Sequence, residues 1–353
     1  MSFHGGNIYD YNNIIYDFSA NINPAGVPES FKKALRDNMD VFARYPDTEY
    51  RALVRSIKDY LSLDDDAYVL PGNGAVDLIY SILDSMDYNK LFTMGPTFSE
   101  YRKAAIKYNI RYEEVFCYNH DFSKIDIELF LNIVEERSII ILCNPNNPTG
   151  FLIDIATLAY IAAQLNEKNS ILIIDEAFIE FTDDYPHSSF LSKMYDFGNV
   201  VLIRAATKFF GMPGIRLGYA ITCNRAIWER IKKIQQPWSV NAAAVIAGSC
   251  IFGDKDYISK SHEWIKEERL YLYNELSNLK GLEVYSSKAN FHLLKITEKS
   301  MDAYKLRNEL VKHGILIRTP DGFSYLTSNH FRLAVLDRKA NSFLLSVLYE
   351  VLL

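Results

Sequence analysis

The feature that most constrains the fold is a series of short apolar segments that do not alternate with polar residues. Three of them are SIIILC (138–143), SILII (170–174) and VVLI (200–203). A strand with one face in water alternates apolar and polar residues, whereas a continuous apolar run indicates a strand that is covered on both faces. Segments with helical periodicity separate these runs, for example IATLAYIAAQLNEK (155–168). The pattern predicts an α/β fold in which helices cover both faces of a mostly parallel sheet.

The organisation of the chain changes near its last third. The alternation of strands and helices starts at AYVLPGNG (67–74) and ends at LGYAITC (217–223). Two long helices follow, and then four short strands mixed with helices, namely LEVYSS, ANFHLLKIT, ILIRTP and FRLAVL. We therefore predict a large domain of residues 31–240 and a smaller α+β domain of residues 241–353. Residues 1–30 lack the periodicity of a core element, and we predict an amino-terminal arm that packs with the smaller domain.

The composition is typical of a globular protein and argues against several classes of partner. The 353 residues are 49% hydrophobic and 23% charged, with a net charge of -6. Because no block of lysines and arginines is present, neither a nucleic acid nor an anionic membrane is expected as a partner. No apolar run reaches the length of a membrane span, and the first residues lack the order of a signal peptide. The four cysteines form no CxxC motif, and we expect a cytoplasmic protein with reduced cysteines and no metal.

Four polar motifs directly follow predicted strands. They are GNGA (72–75), NPNNPTG (144–150), the DE pair at 175–176, and TKFFGMPGIR (207–216). In an open α/β sheet, ligands bind beyond the carboxyl ends of the strands. The motifs are therefore predicted to contribute to a ligand site at the strand ends.

Three of these motifs suit parts of one ligand, although each also has a purely structural interpretation. The glycine turn at 72–75 opens a helix whose free N–H groups attract phosphate, but such turns also start helices without a ligand. The amides of 144–150 suit a ring hydroxyl, while Pro and Gly make the same segment a rigid turn. Asp175 ends a buried strand and needs a cationic or donor partner, such as a pyridinium N–H. It could instead cap the next segment.

Lys208 lies between apolar runs, with Arg216 eight residues downstream. Burial disfavours the charged form of a lysine, so a neutral amine becomes available to form a Schiff base with an aldehyde. Arg216 can bind a phosphate through two N–H groups, and Thr207 adds a hydroxyl. A lone lysine after a strand is otherwise a surface residue. An aldehyde and a phosphate on one molecule describe pyridoxal 5′-phosphate (PLP), and the companion motifs favour this cofactor.

In this order, the motifs resemble those of the fold-type I PLP-dependent enzymes, in the branch that holds histidinol-phosphate aminotransferase and L-threonine-O-3-phosphate decarboxylase. The resemblance runs from HGGN (4–7) to FRLAVL (331–336). It implies the aspartate aminotransferase-like fold, with PLP as the cofactor. It also implies that Lys208 forms the Schiff base, that Asp175 pairs with the ring nitrogen, and that Asn147 binds the ring hydroxyl O3′.

The same resemblance gives binding roles to further residues. Phe98, in GPTFSEY, matches the aromatic residue that stacks on the pyridine ring. Tyr45, in RYPD, matches a tyrosine that reaches the cofactor phosphate of the neighbouring subunit, which implies a homodimer. Arg332, in FRLAV, matches the arginine that binds the substrate α-carboxylate, and Arg318 is either a second cation for the substrate or a strand-end arginine in solvent. The residues that match the phosphate site are Gly74, Ala75, Thr207 and Arg216.

Two positions depart from the pattern of the aminotransferases. Phe178 stands in DEAF where those enzymes carry DEAY, whose tyrosine also contacts O3′, so Asn147 is left to bind O3′ alone. Ala205 stands where a hydroxyl residue is common, which removes one phosphate donor. Phe178 and the FF pair at 209–210 are instead similar to the decarboxylases.

The residues leave two reactions open, since the cofactor ring serves as an electron sink in both. HGGN (4–7) and DFSANINP (17–24) resemble the threonine-phosphate decarboxylases. We therefore predict decarboxylation of L-threonine O-3-phosphate to (R)-1-aminopropan-2-yl phosphate, a step of cobalamin biosynthesis. The alternative is an aminotransferase of the histidinol-phosphate type that uses 2-oxoglutarate and glutamate, because the spacer between the two motifs is shorter than expected for the decarboxylase. A second alternative is a PLP-binding protein without turnover.

The amino-terminal motifs supply two further candidates for binding a phosphorylated substrate. We hypothesise that His4 and Asn21 lie near its phosphate or its carboxylate, and the alternative for His4 is a residue of a disordered tail. The presence of several cofactor and substrate residues in one chain favours an active enzyme over a non-catalytic protein. Those residues are Asn147, Asp175, Lys208, Arg216 and Arg332.

Overall fold

The structure is a computed structural model that describes residues 5–352, and His4 therefore lies outside the described residues. The strands in this range are β1 (Tyr16–Asp17), β2 (Tyr68–Gly72), β3 (Lys90–Gly95), β4 (Arg111–Phe116), β5 (Ile139–Cys143), β6 (Ile171–Asp175), β7 (Val200–Ala205), β8 (Gly218–Thr222), β9 (Leu282–Val284), β10 (Phe291–Ile296), β11 (Ile315–Leu316) and β12 (His330–Ala334).

Helices connect most of these strands. The α-helices are α1 (Glu29–Asp37), α2 (Arg51–Leu61), α3 (Gly74–Ser85), α4 (Glu100–Lys107), α5 (Ile127–Ile133), α6 (Ile155–Glu167), α7 (Ala206–Phe209), α8 (Arg225–Ile234), α9 (Ala242–Cys250), α10 (Lys255–Ser277), α11 (Ala303–Lys312) and α12 (Arg338–Leu352). Short 3-10 helices occupy Ile8–Asp10, Met39–Ala43, Ile179–Phe181, Phe190–Ser192, Met194–Asp196, Pro213–Ile215 and Ile251–Gly253.

The largest sheet has seven strands in the order β2–β8–β7–β6–β5–β3–β4. Among these described strands only β8 runs antiparallel to its neighbours, β2 and β7, and the other pairs are parallel. This arrangement confirms the predicted α/β fold with a mostly parallel sheet. Because β5, β6 and β7 run side by side in the same direction, their carboxyl ends meet at one edge, where Cys143 lies opposite Asp175.

The central strands are apolar throughout because both of their faces are covered. Every residue of β5, β6 and β7 is buried. Alternate side chains enter different cores: Ile140 and Leu142 pack on one side of the sheet, whereas Ile139 and Ile141 pack on the other. Burial of one such side chain contributes about 1.5–3 kcal/mol. The two cores thus fix helices to both faces of the sheet and hold the strand ends in place.

The carboxy-terminal strands form a separate antiparallel sheet in the order β12–β10–β9. The amino-terminal segment contacts this part of the chain, since β1 pairs in parallel with β11 and places Tyr16 opposite Ile315. The Ala334 N–H also donates to the Phe18 carbonyl (2.8 Å). The division of the chain at residues 30 and 240 stays a prediction. Among residues 5–352, no helix is both long and apolar enough to cross a bilayer.

Candidate active site

A cavity of about 370 Å³ lies at the carboxyl ends of β5, β6 and β7. The first turns of α3 and α4, residues 19–21 and the region of β11 and β12 complete its wall. Residues that are far apart in the sequence therefore meet at the edge of the sheet where ligands bind in α/β folds. The predicted site residues that line the cavity are Asn21, Ala75, Phe98, Asn147, Asp175, Thr207, Lys208, Arg216, Arg318 and Arg332.

Lys208 follows β7 directly, in the four-residue helix α7. Its half-buried side chain lines the cavity. Burial lowers the pKa of Lys208 to about 8. The positive charges of Arg332 and Arg216 lower this pKa further, and the Asp17 carboxylate acts against them. Near pH 8 a large share of the side chain is thus a neutral amine, which is the form that attacks an aldehyde.

Asp175 is the last residue of β6 and is 4% exposed. Its Oδ2 accepts a hydrogen bond from the Tyr101 hydroxyl (2.8 Å), and its Oδ1 accepts one from the Ala177 N–H (3.0 Å). Burial nevertheless raises the pKa of Asp175 to about 6, and no cation of the described chain acts against this shift. A protonated pyridine nitrogen would supply the missing positive partner. The position therefore fits the ring nitrogen of PLP.

The start of α3 and Arg216 form a cradle for an anion. Gly74 is the first residue of α3 and has a φ of +82°, and a Cβ at this position would lie 2.4 Å from Arg216 Nη2. Glycine thus allows the guanidinium to approach the helix. Arg216 donates to the carbonyls of Pro213 (3.2 Å) and Asn73 (3.4 Å), and buried Thr207 lines the same cavity. Helix N–H groups and a guanidinium in this arrangement suit a phosphate.

Two buried arginines face each other next to the cradle. The backbone N–H of Arg318 donates to the Arg332 carbonyl (3.1 Å), and the N–H of Arg332 donates back (2.8 Å). Arg332 Nη1 donates to Asn147 Oδ1 and Nη2 donates to the Ser19 carbonyl (2.8 Å). Arg332 Nε is buried and has no partner among residues 5–352. Arg318 Nη2 donates to the Asp321 carbonyl (2.6 Å).

This arrangement favours an anionic ligand. Burial lowers the pKa of Arg332 to about 9, with a further contribution from the charge of Arg318. Burial also lowers the pKa of Arg318 to about 10. Holding two guanidinium groups out of water is costly. The charge of Asp321 offsets part of this cost for Arg318, and the charge of Asp17 does so for Arg332. A carboxylate or phosphate in the cavity would offset more of it.

Three other predicted residues present polar or aromatic groups to the cavity. Asn21 is 3% exposed, and its Oδ1 is buried without a partner in the described chain. Asn147 uses Oδ1 for Arg332, so its Nδ2 is the group that would meet a ring hydroxyl. Phe98 stands at the cavity wall with its ring edge-on to Tyr101 (5.7 Å, 87°).

The structure does not test the roles predicted for Tyr45 and His4. Tyr45 does not line the cavity of its own chain, and its ring is 77% exposed and stacks on Trp238 at 4.5 Å. Its predicted role in a neighbouring subunit needs a second copy of the chain and stays a prediction. His4 lies outside the described residues, so its role also stays a prediction.

Two positions that depart from the aminotransferase pattern both line the cavity. Phe178 packs its ring edge-on against Phe291 (5.2 Å, 84°) and presents no hydroxyl. Ala205 ends β7 and likewise offers no donor. Asn147 offers an amide and Thr207 a hydroxyl at the cavity wall, and their roles toward O3′ and a phosphate stay predictions.

The structure also adds residues that the sequence does not single out. The Tyr101 hydroxyl binds Asp175, and the Ser19 carbonyl binds Arg332. Phe323 lines the cavity. The sequence gives no signal for Tyr101, because Phe98 precedes α4 and the contact of Tyr101 with Asp175 depends on the fold. Ser19 binds Arg332 through its backbone carbonyl, and Phe323 reaches the cavity from a loop that is distant in the sequence. No sequence pattern marks either residue.

Residues 13–348 match the family described as aminotransferase class I and II. The chain belongs to the aminotransferase class I and II family. The matched range includes every predicted residue that lines the cavity, from Asn21 to Arg332.

Similar proteins of this aminotransferase family carry the names of two activities. A protein of Caldanaerobacter subterraneus subsp. tengcongensis, named provisionally as a threonine-phosphate decarboxylase, is 37% identical over 351 residues, which are 98% of this chain and 92% of that protein. The threonine-phosphate decarboxylase of Salmonella typhimurium is 33% identical over 359 residues, with 99% and 97% covered. A crystal structure described as histidinol-phosphate aminotransferase from Clostridium acetobutylicum is 37% identical, covers 96% of this chain and 99% of that chain, and has a TM-score of 0.89.

Proposed function

We propose that the chain is a PLP-dependent decarboxylase that converts L-threonine O-3-phosphate to (R)-1-aminopropan-2-yl phosphate. The observation that carries this proposal is the pair of buried arginines, Arg318 and Arg332, beside a separate anion cradle at Arg216. The cradle suits the cofactor phosphate, and Arg318 and Arg332 line the same cavity, where they can contact a substrate. Threonine phosphate brings a carboxylate and a phosphate, which are two anions for two guanidinium groups. The names of two similar proteins support the same activity.

The side chains of the cavity divide the tasks between cofactor and substrate. PLP, when bound, supplies an electron sink for the bond that breaks at the substrate Cα. Lys208 Nζ, as a neutral amine, would hold the cofactor through its aldehyde. Once the substrate amine has displaced it, the freed Nζ could hold or deliver a proton near Cα. Asp175 would keep a proton on the ring nitrogen, and Asn147 Nδ2 would donate to O3′. Arg332 orients the carboxylate, which determines the bond that stands perpendicular to the ring.

An aminotransferase of the histidinol-phosphate type is the second candidate. The similar crystal structure described by that name supports it, and Lys208 can serve as the base in either reaction. Histidinol phosphate carries one anionic group, whereas 2-oxoglutarate carries two carboxylates that the arginine pair could bind in turn. A PLP-binding protein without turnover is supported less well, because Lys208, Asp175 and Arg332 all line one cavity.

The deciding experiment omits the keto acid. The PLP-loaded protein is incubated with L-threonine O-3-phosphate alone, and carbon dioxide and the amine product are followed. We expect steady release of carbon dioxide, with no release by Lys208→Ala, because no amino-group acceptor is needed for decarboxylation. A parallel reaction contains histidinol phosphate and 2-oxoglutarate, and glutamate is measured.

The two reactions give opposite results in this test. Glutamate formation without carbon dioxide release would replace the decarboxylase with the aminotransferase. Absence of both products, together with an absorption spectrum that changes on adding an amino acid, would leave a PLP enzyme with another substrate. A spectrum that no amino acid changes would favour the non-catalytic protein.

The remaining partner assignments extend this proposal. A homodimer is supported by the exposed ring of Tyr45, which has no place in the cavity of its own chain. The substrate is a small phosphorylated amino acid or amine, because guanidinium groups bind carboxylate and phosphate. A cytoplasmic location stays a prediction from the sequence.

A further inference from the structure

We infer that Tyr101 is a positioning residue for the cofactor ring, which acts by keeping Asp175 ionised and by fixing the ring of Phe98. This inference rests on the proposed PLP site, and it adds a residue that contacts neither the cofactor nor the substrate. The hydrogen bond from Tyr101 to Asp175, which lies behind the cavity wall, would thus help to keep the ring nitrogen protonated.

The geometry joins Tyr101 to both ring contacts. Tyr101 stands in the first turn of α4 and has no exposed surface. Its hydroxyl donates to Asp175 Oδ2 at 2.8 Å. Its N–H donates to the Phe98 carbonyl (3.3 Å), and the two rings meet edge-on at 5.7 Å. One side chain thus supports the residue expected at the ring nitrogen and the residue expected on the ring face.

The electrostatics make this hydrogen bond important for Asp175. Burial raises the pKa of Asp175, and the neighbouring Glu176 raises it further; within the described part of the chain, hydrogen bonds from Tyr101 and the Ala177 N–H lower it. Cys143, which faces Asp175 from β5, brings no positive charge. The pKa of the Tyr101 hydroxyl is far above its usual range because of burial, so this group remains a donor at every working pH.

The loss of Tyr101 has a predictable direction. Without the hydroxyl, the Asp175 carboxylate loses one of its two donors, and its protonated form becomes more favourable. Asp175 would then compete with the ring nitrogen for the proton that the electron-sink chemistry requires. The same change leaves Phe98 with an equally large aromatic neighbour if phenylalanine replaces tyrosine.

The test measures titration of Asp175 as well as the cofactor. Cofactor-free protein with ¹³C-labelled aspartate carboxyls is titrated by NMR, and Asp175→Asn identifies the signal of Asp175. We expect Tyr101→Phe to raise the midpoint of Asp175 by about one pH unit or more, which is the effect of losing one hydrogen bond to a buried charge. In protein loaded with ¹⁵N-labelled PLP, the ring-nitrogen signal at neutral pH should shift toward its unprotonated position.

Tyr60→Phe is a matched control. The Tyr60 hydroxyl also donates to a buried carboxylate, Glu180 Oε1 (3.1 Å), whose pKa burial raises to about 7. Tyr60 and Glu180 do not line the cavity. This variant should leave both the Asp175 midpoint and the ring-nitrogen signal unchanged.

The outcomes separate this inference from the proposed function. If the titration midpoint of Asp175 changes by less than about 0.3 pH unit in Tyr101→Phe, the inference is overturned even when PLP binds. If the wild-type protein fails to bind PLP, the proposed function fails, while the titration of the cofactor-free protein still tests the effect of Tyr101 on Asp175. Should Tyr101→Phe fail to fold, Tyr101→Leu removes the same hydroxyl, and a raised midpoint in that folded variant supports the inference. A midpoint equal to the wild-type value contradicts it.

Discussion

The charge on Lys208 depends on its arginine neighbours. The positive charge of Arg332 lowers the pKa of Lys208, in addition to the effect of burial, from an ordinary value of 10.5 to about 8. Removal of this charge in Arg332→Gln should therefore raise the pKa of Lys208. The amine captures PLP when it is neutral, so capture is favoured above the pKa and is lost below it. We expect the midpoint pH of covalent capture, made irreversible with borohydride and located by peptide mass, to move to a higher pH in this variant.

A distant arginine provides the control for this titration. Arg338 pairs with Glu268 (2.8 Å) and does not line the cavity. Arg338→Gln should keep the wild-type midpoint, and Lys208→Ala should remove the labelled peptide. An unchanged midpoint in Arg332→Gln would mean that the charge of Arg332 does not reach Lys208.

Among the elements, the loop between β11 and β12 joins the cavity to the edge of the large sheet. Glu114 Oε2, on β4, accepts hydrogen bonds from Ser324 Oγ (3.0 Å) and Arg102 Nη2 (2.8 Å). The Glu114 carbonyl accepts one from the Tyr325 hydroxyl (2.5 Å). Phe323, in the same loop, lines the cavity. Glu114 therefore holds one wall of the site in place.

This contact predicts a change in substrate binding. Glu114→Gln replaces the charged acceptor with a neutral amide, which weakens the attachment of the loop by about 1–1.5 kcal/mol. We expect KM for the substrate to rise roughly fivefold to tenfold with a smaller change in kcat, and the amides of residues 321–325 to exchange hydrogen faster. Glu113→Gln is the control because Glu113 is exposed on the same strand. Equal KM values in the two variants would contradict a role for Glu114 in holding the loop.

Sequence patterns locate the elements whose burial is local and miss those that depend on distant partners. The continuous apolar runs correspond to β5, β6 and β7, because strands covered on both faces need no polar residues. β1 lies within the predicted arm and exists only through its pairing with β11. Helix α8 is absent from the prediction, although Asn224 caps it and Ile227 and Ile231 are buried four residues apart.

The same distinction applies to the site. Asp175 ends β6 and Lys208 follows β7 by three residues, so their position at one sheet edge follows from the sequence. Tyr101 and the Ser19 carbonyl enter through contacts between separate elements. The order β2–β8–β7 and the reversed direction of β8 also depend on contacts that no local pattern encodes.

At the scale of the whole molecule, several large apolar side chains are exposed to solvent. Met39, Phe42, Tyr45 and Trp238 are 58%, 51%, 77% and 44% exposed. Met39 and Phe42 lie in the 3-10 helix Met39–Ala43, which ends two residues before Tyr45. The ring of Tyr45 stacks on that of Trp238. Apolar surface of this kind favours burial against another protein. We propose that a second copy of the chain covers it, and that Tyr45 then reaches the anion cradle of the partner.

A shared site predicts that two defective chains complement each other. Lys208→Ala lacks the amine but keeps Tyr45, whereas Tyr45→Ala keeps the amine. In a mixed dimer, the site that holds Lys208 receives Tyr45 from the other chain and is complete. Co-expression should therefore restore tight PLP capture at about a quarter of all sites, because half of randomly paired two-fold dimers are mixed and each has one complete site. Capture is measured at limiting PLP, with sedimentation to verify the dimer. If the PLP capture of the co-expressed protein only equals the average capture of the two separate variants, Tyr45 does not complete the site of the neighbouring chain.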